Sequence, residues 1–294
     1  VDRRFQNAGQ VTSSGWEFKA DYDVIKNDKL SYETGLILYN NKVVLDEFSN
    51  ELAQYGFLGS PGQNAVTMVR VKVGDKLGNI YGPVFQGVNA DGSPQFEDVT
   101  GDGTLNTDSG NVLQDDYDGR VLGTAYPTLE MSWSNVVEFG DGWTLNAFFR
   151  GAFGHSLINT FRAFYEPNVP SQTSYNQMNT SLREPNLAVA QYSSLYVEKA
   201  DFFLLDNLTL SKQIFFPEGS GIKDLTVSLN ALRPFVITSY TGTDPSPELF
   251  DALGGGEEGV EAGSDGAALL APGIDRRQDY FASKTFSIGL SVNF

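Results

Sequence analysis

The sequence predicts an all-β protein: the C-terminal section, about seven strands, of a large antiparallel transmembrane β-barrel with long extracellular loops. Three observations predict it. Apolar residues recur at every second position over runs of about 10–14 residues, where strands of soluble domains average about 5–6. The links between runs alternate, tight and then very long, three times over. Aromatic residues gather at the tight-turn ends of the runs, as the girdle of a membrane interface requires.

The runs follow in order. Trp16, Phe18, Ala20, Tyr22 and Val24 alternate with Glu17, Lys19, Asp21 and Asp23. After the polar turn Lys26-Asn27-Asp28-Lys29, Leu30, Tyr32, Leu36 and Leu38 share one side of a second run. Leu129, Met131 and Trp133 alternate with Glu130, Ser132 and Ser134, up to the turn Gly140-Asp141-Gly142. Trp143, Leu145, Ala147, Phe149, Gly151 and Phe153 form the fourth stripe. Phe202, Leu204, Leu208, Leu210 and Ile214 form the fifth, interrupted by Asp206. A Pro217–Gly221 turn leads into Leu225, Val227, Leu229 and Ala231. Phe286, Ile288, Leu290, Val292 and Phe294 close the series, with Ser287, Gly289, Ser291 and Asn293 between them.

The long connections cover about 41–125, 155–200 and 238–282, far beyond the 12–15 residues usual for loops in compact domains. Short turns on one side and long loops on the other fit short periplasmic turns and long extracellular loops. The girdle candidates are Tyr22, Tyr32, Phe139, Trp143, Phe215, Phe216 and Phe294. A secreted β-sandwich binding module is the competing reading, because one face of any sandwich strand is also apolar. Seven strands that start from the long-loop side cannot close a barrel alone, so the residues read as part of a larger one.

Composition narrows the function. The chain has 294 residues and a net charge of −17, from 37 acidic against 20 basic side chains. With no basic cluster, nucleic-acid phosphates are repelled. No run of 18 apolar residues offers a transmembrane helix, which leaves strands free to cross. Cysteine is absent, so neither disulfides nor thiolate metal sites form. The chain lacks a signal peptide and begins with Val, as expected of a processed product or a piece of something longer. His155 is the one histidine, which removes His-based triads; at a strand end after Gly154 it reads as an exposed or interfacial residue. No phosphate-cradling Gly loop with Lys-Ser/Thr is present, and an enzyme is not expected.

One segment has ligand-like spacing. In "DVTGDGTLNTD", Asp98, Thr100, Asp102, the Thr104 carbonyl and Asn106 take positions 1, 3, 5, 7 and 9 of an EF-hand-like loop, with Gly103 at the turn. Hard oxygens converging in this way suit a structural calcium ion; the alternative is a solvated acidic turn. A closing carboxylate would come from Asp108, Asp115, Asp116 or Asp118, or be lost, since the insertion that starts at Ser109 displaces it. The Gly-rich acidic stretch 254–266 reads as a flexible loop, and Gly78 and Gly82 serve the backbone around Tyr81.

Colinear blocks carry a resemblance. "KVGDKLGNIYGPVFQGV" (72–88), "FEDVTGDGTL" (96–105), "RVLGTAYPTLEMSWSNVVEF" (120–139), "FFRGAFG" (148–154), "YVEKADFFLLDNLTLSKQI" (196–214) and "TGTDP" (241–245) occur in this order. With the closing strand, they resemble the C-terminal third of SusC/RagA-type TonB-dependent outer-membrane transporters of the Bacteroidetes. The resemblance implies a barrel of about 22 strands with an N-terminal plug outside these residues. It also implies a SusD-like surface lipoprotein as partner, the TonB complex as energy source, and a glycan or oligopeptide as substrate. The family often carries an Asp-Asn-Asp-Gly loop where this chain has 98–108, and this chain departs from it at Thr100. The C-terminus would be periplasmic, and a terminal aromatic resembles the signal read by barrel-assembly machinery. Use of the same barrel as a structural subunit of a larger surface assembly is the alternative within the family.

Overall fold

A computed structural model describes residues 9–48, 52–60, 63–108, 114–169, 177–246, 271–277 and 281–294. The acidic stretch 254–266 lies outside them. The chain opens with a hairpin of β1 (Gly9–Asn27) and β2 (Leu30–Phe48). The first long connection then folds into β3 (Leu52–Ser60), β4 (Gln63–Lys72), β5 (Asn79–Gly82), β6 (Phe85–Val88), β7 (Pro94–Phe96) and β8 (Arg120–Thr124). A second hairpin is β9 (Leu129–Phe139) and β10 (Trp143–Phe153). The second connection holds β11 (Ser156–Asn159), helix α1 (Thr160–Tyr165) and β12 (Val197–Lys199). A third hairpin, β13 (Phe202–Phe215) and β14 (Asp224–Thr238), is followed by β15 (Ile274–Asp275) and β16 (Thr285–Asn293).

Seven of these strands form one antiparallel sheet in the order β1-β2-β9-β10-β13-β14-β16. Every neighbour is the next long strand in sequence, so the sheet is a plain meander. Register decides which side chains share a face, because cross-strand partners point the same way. Ala20, Leu36, Trp133, Phe149, Leu205 and Phe235 are successive partners in one row. Nearer the tight turns, Val137, Leu145, Leu210, Leu229 and Ile288 form another. Trp133 stacks on Phe149 at 4.9 Å, and Phe149 on Phe203 at 5.3 Å. The opposite face carries Glu33, Asn146, Thr209, Asn230 and Ser287 in one row, with Val136 as its apolar exception.

The apolar face has no second sheet over it among the described residues. Phe286, Ile288 and Leu290 are 72%, 75% and 72% exposed. A sandwich would bury this face; a barrel section presents it to hydrocarbon. The buried core lies instead among the long connections, around Val69, Ile80, Ile158, Tyr192, Tyr196 and Ile274.

The tight ends match the expected turns. Asn27 Oδ1 accepts from the amides of Lys29 and Leu30, which fixes the first reversal. Gly140 and Gly142 both take positive φ at the second, where Phe139 and Trp143 stack at 6.3 Å. At the third, the Phe216 amide donates to the Lys223 carbonyl. The girdle candidates Tyr22, Phe215 and Phe294 are all exposed.

Four expectations need correction. The hairpin strands β1 and β2 each run 19 residues, so the first connection starts after Phe48, later than position 41. In β1 a bulge after Asp23 makes Ile25, not Val24, the partner of Tyr32. In β13 a bulge sets Leu205 opposite Phe149 and Asn207 opposite Phe148, leaving Asp206 as the extra residue. An extra residue switches the alternation. Phe203 and Leu205 therefore share the face of Leu208 and Leu210, whereas Phe202 and Leu204 turn to the other face, buried with Ala152 and Val236. Arg150 holds the bulge with two bonds to Asp206, at 2.9 and 3.2 Å. His155 is the fourth: it is 1% exposed, not at the surface.

Candidate functional site: the loop layer and the polar face

The long connections fold together at the ends of the strands far from the tight turns. Their centre is a buried cation. Asn159 caps α1, its Oδ1 accepting from the Arg162 amide, and this places Arg162 on the inward side of the short helix. The guanidinium donates to Glu166 at 2.9 Å, to Glu198 at 3.0 Å, and to the carbonyls of Leu195 and Leu182. Burial alone would lower the Arg162 pKa; the bonds to Glu166 and Glu198 outweigh it and raise it, so the side chain stays charged.

The "TGTDP" block explains itself here. The Thr241 amide and hydroxyl donate to Glu198. The Thr243 amide and hydroxyl donate to Asp275 on β15, at 3.0 and 2.6 Å, and Tyr240 adds a third bond to that carboxylate. Asp244 accepts from Arg233 of β14 at 2.8 Å. The Pro245 carbonyl meets His155 Nε2 at 2.8 Å. Five residues thus tie β12, β14, β15 and the end of β10 together. Gly242 is required between them, because a Cβ there would overlap Asp275 Oδ2 and the Tyr240 hydroxyl. Burial lowers the His155 pKa by more than the Pro245 carbonyl raises it, so the imidazole is neutral and donates from Nε2.

The acidic loop is held by protein groups. Asp98 Oδ1 accepts from the Gly101 amide at 2.6 Å and from the Thr100 hydroxyl, and Oδ2 from the Gly103 amide at 2.9 Å. Asp102 Oδ1 accepts from the Thr104 amide. Asp118 closes the loop: its Oδ1 takes the amides of Val99 and Thr100, and its Oδ2 the amide of Asn106. Burial would raise the Asp118 pKa, and these bonds outweigh it and hold it below the ordinary carboxylate value. Thr107 next door accepts from Gln191, which fastens the loop to the second connection. Asp108 is exposed at the loop's edge. Among the described residues, no three carboxylate or imidazole side chains converge on one cation position. Of the candidates for the closing carboxylate, Asp118 is the one brought against the loop; Asp115 and Asp116 are exposed. Gly78 has the expected backbone role, at φ 80° against the Tyr126 ring; Gly82 does not take a positive φ, and Arg70 lies over the Tyr81 ring at 3.9 Å.

The polar face of the sheet has its own opening. A cleft of about 560 Å³ lies along β1, β2 and β9, lined by Asp21, Asp23, Glu33, Gly35 and Ser134 among others. Its lining is acidic, with Asp21, Asp23 and Glu33.

No family model matches the sequence. Two curated relatives from Formosa agariphila do. TonB-dependent receptor P3 is 22% identical over 267 residues, 83% of this chain and 26% of its own length. TonB-dependent receptor P26 is 22% identical over 324 residues, 99% of this chain and 30% of its own length. Among solved structures, the RagAB peptide transporter superposes with a TM-score of 0.69 at 17% identity. The RagAB peptide importer in its closed-closed state gives 0.68 at 19%. Each match covers 98% of this chain and 30% of the solved one. In sequence the chain is similar to a section of these TonB-dependent receptors, and in fold to a section of the RagAB transporter. It spans less than a third of the curated relatives it matches. The relatives are named as receptors and importers, not enzymes, and the apolar face of the sheet is the outer face of a barrel wall.

Proposed function

We propose that these residues form part of the wall and the extracellular loop layer of an outer-membrane importer. The importer would be driven through TonB and work with a SusD-like lipoprotein on a glycan or an oligopeptide. The observation that carries the reading is the division of the sheet. One face is apolar across all seven strands and uncovered, the other is polar with an acidic cleft, and a tied loop layer stands at one end only. A wall between lipid and a water-filled lumen needs that division. RagAB is named as a peptide importer, which favours a peptide cargo. In this arrangement the tight turns and the C-terminus are periplasmic.

The test is a clean deletion of the full receptor gene. Loss of growth on one glycan or peptide source, with an intact envelope, supports import. A general envelope defect with uptake unchanged replaces it by the structural-subunit reading. Co-purification with a surface lipoprotein tests the partner separately. Structural calcium in the 98–108 loop is an addition to this proposal. The ligand spacing of Asp98, Thr100, Asp102, Thr104, Asn106 and Asp108 supports it, and the use of Asp98 and Asp118 oxygens on amides speaks against it. Protease sensitivity of the loop that is unchanged by chelator removes it.

A further inference from the structure

The outward face ends, on the loop side, in a basic rim. Lys42 is two positions beyond Asn40, the partner of outward-facing Trp16, and so lies on the apolar side of β2. Val44, two further on, bridges Lys76, and bridge partners share a side. Lys199 is the partner of Ser156, and both line the cleft that Lys76 lines. Three lysines from three segments therefore stand on the lipid side, and all three are exposed. None takes part in an ion pair among the described residues.

They line neighbouring recesses. Lys76 and Lys199 line an open cleft of about 440 Å³, with Asn79, Thr124 and Ser156 as further polar groups. Lys76 and Thr124 also line the adjoining recess that contains Lys42. The larger cleft holds one carboxylate, Asp201, and it is engaged by the Gly154 amide at 2.6 Å. His155 lines the same cleft, buried, with its Nε2 on Pro245 and its Nδ1 without a partner. In a chain with 37 acidic and 20 basic residues, two lysines with one occupied acid run against the average. Just below, Phe153, Leu129, Met131 and Phe203 occupy the outward face.

We propose that the rim of Lys42, Lys76 and Lys199 seats the phosphate of an anionic outer-leaflet lipid whose acyl chains lie on the apolar face beneath. The proposal rests on the membrane placement given above. Cations at the headgroup level beside an apolar belt are complementary to a charged lipid and to no part of a zwitterionic bilayer's net charge. Binding here would order the lipid against the loop layer that caps the barrel.

The full receptor, purified in detergent, is incorporated into nanodiscs of phosphatidylcholine containing a minority of phosphatidylglycerol, and retained lipids are counted by native mass spectrometry. Phosphatidylglycerol should be enriched over phosphatidylcholine on the wild type. Retention should fall by roughly five-fold for each lysine changed to Gln. Equal retention by K42Q/K76Q/K199Q and wild type overturns the proposal. Binding of millimolar inorganic phosphate to the wild type with no enrichment of phosphatidylglycerol also overturns it, since the site then takes a free anion only. Heat-modifiable mobility of each variant reports barrel integrity; if the triple variant lacks it, K199Q alone decides on the same measurement. A wild-type receptor found outside the outer-membrane fraction defeats the membrane reading itself, independently of any lipid count.

Discussion

Arg162 is the residue on which the loop layer depends most. It is buried, charged, and bonded to two carboxylates and two carbonyls that come from three separate places in the chain. Arg162→Ala leaves Glu166 and Glu198 without their counter-ion inside a dry region, which costs about 3–5 kcal/mol. The exposed pair of Arg120 with Glu97 is worth about 0–1 kcal/mol. In the full receptor, R162A should make the second connection sensitive to protease while R120A leaves it resistant; equal patterns would refute the ranking. Asp118 and Asp244 add a pH dependence. Burial raises both pKa values, but the amide bonds to Asp118 and the Arg233 and Ser246 bonds to Asp244 outweigh it, so both lie below 3.8 in the folded chain. A depressed carboxylate contributes its stability above the ordinary value and loses it as the pH falls through the folded one. Pepsin cleavage within 98–108 should thus set in at a lower pH in the wild type than in D118N.

At the scale of elements, β16 tests the assignment of faces. Leu290 partners Val227 on the apolar side, and Ser291 partners Thr226 on the polar side. An Arg on the lipid face costs about 2–4 kcal/mol at the membrane midplane, and on the lumen face it is solvated. L290R should therefore reduce the yield of heat-modifiable barrel, with S291R close to wild type. Equal yields would remove the assignment. These faces were legible in the sequence because alternation is local: each residue's side follows from its neighbour's. The switch at Asp206 was not, since a bulge is defined against a partner strand and Arg150 lies 56 residues away. The burial of His155 was hidden for the same reason, its covering carbonyl at Pro245 being 90 residues on. The acidic loop was legible as a turn built on Asp98 and Gly103. What closes it, Asp118, was one of four candidates that spacing alone left equal.

For the molecule as a whole, the sheet has two open edges among the described residues, β1 and β16. They cannot satisfy each other. Seven is odd, so β1 and β16 run in the same direction, and joining them would make a parallel pair in an otherwise antiparallel wall. Their lengths, 19 and 9 residues, also leave half of β1 without a partner. In hydrocarbon each unpaired backbone group costs several kcal/mol, and an open edge recruits other chains. The relatives are more than three times as long, with this chain covering 26% and 30% of them, which leaves room for strands that would pair both edges. The 294 residues produced alone and refolded in detergent should therefore assemble edge to edge into oligomers. The full receptor, refolded in the same way, should elute as a single barrel. Size-exclusion chromatography with light scattering separates the outcomes. A monodisperse, heat-modifiable monomer of the 294-residue piece would show that its edges close without the remaining strands, and the reading of this sheet as an open section of a larger wall would fall.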